Sequence, residues 1–96
     1  MALHPALRFG PVEQGPAGPT CEIRWGSLPV ARLYRTDQPE TEAWEPGMPG
    51  PAKLPGFTCY TVRSLRTGAV LSGLDRDAVL GELADRLAAA MPTPPA

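Results

Sequence analysis

The stretch Gly56–Met91, GFTCYTVRSLRTGAVLSGLDRDAVLGELADRLAAAM, decides the fold, because strand periodicity, turn chemistry and helix periodicity follow one another in it without a break. Phe57 to Ser64 (FTCYTVRS) is rich in β-branched and aromatic residues, the types that suit a pleated, half-buried surface. Arg66, Thr67 and Gly68 form a turn in which Gly68 supplies the positive φ of a short hairpin loop. Ala69 to Leu74 (AVLSGL) returns as a second, more apolar strand. Asp75 then stands where an N-cap belongs: its carboxylate can accept from the backbone N–H groups of Asp77 or Ala78, and Asp77 adds negative charge to the first turn. The helix that follows, Arg76 to Ala90, carries Val79, Leu80, Leu83, Leu87 and Met91 on one stripe, with Glu82 and Arg86 at i, i+4 on the outside. Pro92 stops it, and residues 92–96 read as a disordered tail.

Upstream, Thr20 to Trp25 (TCEIRW) alternates apolar Cys21, Ile23 and Trp25 with polar Glu22 and Arg24, the period of a half-buried strand. Gly26 and Ser27 suit a two-residue hairpin turn, and Leu28 to Thr36 is its partner strand, with Pro29 calling for an edge or a bulge. Val30, Leu33 and Tyr34 do not alternate cleanly, so the faces of this strand are not assigned by the sequence. Between the two hairpins, Asp37 to Pro55 (DQPETEAWEPGMPGPAKLP) carries five prolines and reads as a long proline-rich loop, with short helical character over residues 40–44 as one alternative. Residues 1–19 contain Leu3, Leu7 and Phe9 and then dissolve into Gly and Pro, the pattern of an extended or disordered arm.

The expected fold is therefore α+β: a small four-stranded antiparallel sheet of two hairpins, in the order ββ-loop-ββ-α, packed against one C-terminal helix. Residues 20–91 make a single domain. With 13 Pro and 10 Gly in 96 residues, about 55 to 60 residues remain for regular structure, a size at which one core is marginal. That margin calls for a supplement, and self-association or a protein partner is the one expected.

Composition bears on function mainly by exclusion. His4 is the single histidine and lies in the arm, away from any nucleophile it could serve. Cys21 and Cys59 are far apart in strand-like runs, and two cysteines with one histidine fall short of a four-ligand zinc site. They read as free, buried thiols of a reducing, cytoplasmic setting. Neither GxxxxGK[ST] nor a strand-linked GxGxxG occurs. No cofactor, no metal, no membrane segment and no enzymatic reaction is expected.

Two sets of residues remain as candidate sites. Trp44 and Met48 in the long loop, and Leu7 and Phe9 in the arm, are apolar anchors in irregular segments and read as contacts for a protein partner or a second copy of the chain. Arg24, Arg32, Arg63 and Arg66 lie in or beside the strands and would share a face if the hairpins pair side by side, which gives nucleic acid binding as the alternative. The net charge of −1 supplies no global attraction to phosphate, so any such binding must be local.

Overall fold

The structure is a computed structural model that describes residues 3–43, 46–47 and 49–95. In chain order the elements are β1 (Leu7–Phe9), β2 (Glu13–Gly15), β3 (Gly18–Trp25), β4 (Leu28–Gln38), β5 (Thr41–Ala43), β6 (Ala52–Leu54), β7 (Phe57–Ser64), β8 (Val70–Gly73) and α1 (Arg76–Ala90). The main sheet is antiparallel and six-stranded, in the order β1-β3-β4-β7-β8 with β2 also on β3. The two expected hairpins, β3–β4 and β7–β8, are its centre, and they do pair side by side through β4 and β7. One C-terminal helix covers the sheet, as an α+β fold requires.

Register assigns the faces that the sequence left open. Cys21 stands opposite Leu33, Ile23 opposite Ala31, and Leu33 in turn opposite Val62, which faces Leu71. This row lies under α1 and meets Val79, Leu80, Leu83 and Ala84 in one core. The uneven pattern of β4 has a local cause. Ile23 pairs with Ala31 but Arg24 pairs with Pro29, so Val30 is an extra residue and forms a bulge beside the proline.

Helix α1 has the expected bounds and cap. The Asp75 carboxylate accepts from the N–H groups of Asp77 and Ala78, and Arg86 meets Glu82 at 2.8 Å. A Cβ at Gly81 would meet nothing within 4 Å, so this glycine is tolerated in the helix without packing against another backbone.

Three segments outside the two hairpins pair more than their composition suggests. The arm over residues 1–19 is extended and joins the sheet: β1 sets Leu7 opposite Trp25, and β2 continues the edge of the sheet. A large apolar indole that needs cover on a small sheet explains why Leu7 is drawn in. The C-terminal tail docks too, since the Pro95 carbonyl accepts from the Ser27 N–H and the Met91 carbonyl accepts from the Trp25 indole N–H. The segment 37–55 is neither a plain loop nor helical over its described residues. β4 runs on to Gln38, and β5 and β6 form a two-stranded ribbon with Thr41 opposite Leu54. This ribbon prolongs the β4–β7 pair, in a molecule measuring 60 × 26 × 26 Å.

Candidate interaction face of the sheet

Among the described residues, the face of the sheet turned away from α1 is open except at its β3 end, where β2 and the turn after it approach Thr20, Arg32 and Tyr34. Its composition follows from the same register. Arg8 stands opposite Arg24, Glu22 opposite Arg32, Arg32 opposite Arg63, and Arg63 opposite Val70. Cross-strand partners share a face, so Arg8, Arg24, Arg32 and Arg63 all rise from this one. The alternation of β7 and β8 adds Phe57, Cys59, Val70 and Ser72 to it, and β4 adds Tyr34. Phe57 and Val70 are each about half exposed (51% and 50%), which is unusual for apolar residues in paired strands.

Charge on this face is only partly balanced. Arg24 is held by Glu22 at 2.6 Å and Arg32 by Glu13 at 2.8 Å. Arg8 and Arg63 make no ion pair among the described residues. Two pairs of arginines therefore face each other directly, Arg8 with Arg24 and Arg32 with Arg63, an arrangement that costs stability in a sheet unless something else meets the charge. Arg66, grouped with these residues on sequence, lies in the β7–β8 turn and off the strand face.

The β8 edge adjoins this face. At the β7–β8 turn the Gly68 N–H donates to the Ser64 carbonyl and the Ser64 N–H donates to the Ala69 carbonyl, with Gly68 at φ +74°. These are the two bonds of a G1 bulge, and they set the phase of the ladder beyond it. Val62 with Leu71 and Tyr60 with Gly73 become the bonded pairs, so the backbone N–H and C=O of Val70 and Ser72 point out of the sheet. The strand VLSG has no charge, no proline and no bulge within it, so of the usual protections of an edge it has only its shortness. Leu74, just past the strand, is 67% exposed.

Of the residues proposed as partner contacts, Trp44 and Met48 lie outside the described residues. Leu7 is buried in the core opposite Trp25 and offers nothing to a partner. Phe9 is partly exposed on the helix side, with the Arg76 guanidinium 5.7 Å from its ring centre. Cys21 is buried, and desolvation pushes its thiol up, opposed by the nearby Arg76 and Arg32 charges. Cys59, expected in the core, is only half-buried because its position in β7 puts it on the open face. Among the described residues no three His, Cys, Asp or Glu side chains come together as a metal site. No described helix is long and apolar enough to cross a membrane. Tyr34, Phe57, Val70 and Ser72 are the residues of this face that sequence reading missed. Strand alternation marks them as one set, but nothing in it says which of two alternating sets the helix covers.

No protein family, curated protein or solved structure matches the chain.

Proposed function

We propose that this protein is a small non-enzymatic interaction module that self-associates through the β8 edge and the adjoining open sheet face. The observation that supports it is the free edge, where Val70 and Ser72 turn their backbone groups outward beside exposed Val70, Leu74 and Phe57. A second copy fits this edge about a two-fold axis at Leu71. Val70 of one chain then lies opposite Ser72 of the other, twice, and every outward group of those residues finds a partner. The phase is compatible because both members of each such pair turn their backbone groups outward.

The test is sedimentation equilibrium of the purified protein at micromolar concentration, with the expected result a dimer. Ser72→Pro removes an N–H that the chain itself does not use, so the variant folds, as proline is tolerated on a sheet edge. It is expected to be monomeric with an unchanged circular dichroism melt. A monomeric wild type, or a Ser72→Pro protein that still dimerises, rejects the proposal.

Nucleic acid binding by the open face is the second reading, favoured by the facing arginine pairs Arg8 with Arg24 and Arg32 with Arg63. Phosphate would offset the repulsion that Glu22 and Glu13 balance only in part. Retardation of a duplex oligonucleotide at low salt, lost in Arg63→Glu and only weakened in Arg66→Glu, is the expected outcome. Equal mobility with and without the protein rejects this reading.

A further inference from the structure

We infer that the groove at the N-terminal end of α1 is a binding site for a small amphipathic anion, an aromatic or aliphatic body with one acidic head. The groove lies on the helix side of the sheet, opposite the face described above. It exists because α1 begins at Arg76 while the sheet surface beneath it continues through Leu33 to Arg35, leaving a hollow of about 420 Å³. That volume is within the range of small-molecule sites, about 300 to 1,000 Å³.

Its walls divide by chemistry. Phe9, Val12, Leu33 and Tyr60 supply apolar surface, and Phe9 and Val12 remain 37% and 68% exposed for want of cover. Arg35 and Arg76 are the charged groups of the lining, and no carboxylate belongs to it. Arg76 lies over the Phe9 ring, at the helix end where the backbone also carries positive charge. Arg35 is tied to Asp37 by a contact of 3.3 Å between two exposed side chains, the kind of surface pair that contributes little and yields to a better acceptor.

These walls select the occupant. A cation is repelled by both guanidiniums, and a neutral apolar molecule covers Phe9 and Val12 while stripping water from Arg76 without replacing it. A compact polyanion satisfies the arginines and leaves the apolar wall bare. An apolar body with a single acidic head does both, through charge-assisted hydrogen bonds at one end and area burial at the other.

The probe is 1-anilinonaphthalene-8-sulfonate, compared with its neutral relative N-phenyl-1-naphthylamine, by fluorescence titration of the full chain. One equivalent of the sulfonate is expected to bind, and Arg35→Gln with Arg76→Gln together weaken it about tenfold, the loss of a charge-assisted bond, while binding of the neutral relative changes less than twofold. Decanoate is expected to displace the sulfonate. Amide shift mapping on the wild type locates the site independently of any variant: perturbations are expected around Phe9, Val12 and Tyr60. Perturbations centred instead on Phe57, Val70 and Leu74, or a double variant that binds the sulfonate as tightly as the wild type, overturn the inference. Because Ser72→Pro leaves the groove untouched, failure of the edge proposal and failure of this one are read separately.

Discussion

Trp25→Phe keeps an aromatic ring in the core but removes the indole N–H that donates to the Met91 carbonyl at 3.1 Å. The indole is completely buried and also packs against the His4 ring at a tilt of 39°, with ring centres 4.7 Å apart. Loss of volume and of a part-buried hydrogen bond together are expected to cost about 2 to 4 kcal/mol, measured by urea unfolding followed by circular dichroism. The alternation of TCEIRW already pointed this indole inward; what it could not show is that the ring is the meeting point of arm, turn and tail, contacts made by residues up to 66 positions apart in sequence. Asp37 carries the pH dependence at this scale. The hydrogen bond from Thr58 Oγ1, at 2.7 Å, lowers its pKa against the opposing effect of desolvation, with the Arg35 charge and hydrogen bond adding to the lowering. A depressed carboxyl contributes stability that is fully present above its unfolded value and is lost as pH falls through the folded one. In Thr58→Ala the Asp37 titration, followed by carboxyl carbon NMR, is expected to move up toward the ordinary aspartate value, and the acid limb of stability to flatten with it.

At the scale of elements, α1 and the β7–β8 hairpin were legible in sequence because each has a local cause. Asp75 caps, Gly68 turns, and the 3.6-residue stripe of Val79, Leu80 and Leu83 has one reading. Asp75→Ala is expected to lower stability by about 1 kcal/mol in the same unfolding assay, with helix content retained in the folded state. The short strands β1, β2, β5 and β6 were not legible, since three residues are too few to show a period: β1 is held by Ile23 to Trp25 further along the chain, while β2 and the β5–β6 ribbon pair locally through residues rich in Gly, Pro and Glu that carry no strand signal. Asp37 and Gln38, poor strand formers, likewise end β4 early on propensity, whereas pairing with Thr58 and Phe57 carries it on. The turn at Gly26 has a stricter requirement than either hairpin suggested. Its φ is +63°, and a Cβ there would stand 1.8 Å from the Pro95 carbonyl oxygen. Gly26→Ala must displace the tail or change the turn, and it is expected to speed proteolytic trimming of the C-terminus while leaving β7–β8 amides protected from exchange.

Across the whole molecule, stability and reach belong to different parts. The core lies between α1 and β3, β4 and β7, whereas β5 and β6 pair with each other as a separate two-stranded ribbon. A lone ribbon of this kind is marginal in water. Because Gln38 pairs with Phe57, residues 39–56 can be replaced by Asn-Gly, which closes the β4–β7 pair with a two-residue turn. This shortened protein is expected to keep the wild-type unfolding midpoint to within about 1 kcal/mol of stability, and a larger loss would assign the ribbon a part in the core. The open face was half legible for the same reason that the ribbon was not. Arg24, Arg32 and Arg63 were visible as residues, but their grouping depends on the pairing of β4 with β7, which no local signal encodes.

The turn at Gly26 and Ser27 receives the Ala6 carbonyl on one residue and the Pro95 carbonyl on the next, so the two described ends of the chain arrive at neighbouring backbone groups. The order in which the strands are synthesised is thus separable from the order in which they stand in the sheet. A circular permutant that joins these ends by a short glycine linker and opens the chain at Gly50, where an added Cβ would meet nothing within 4 Å, has every ladder of the main sheet available to it.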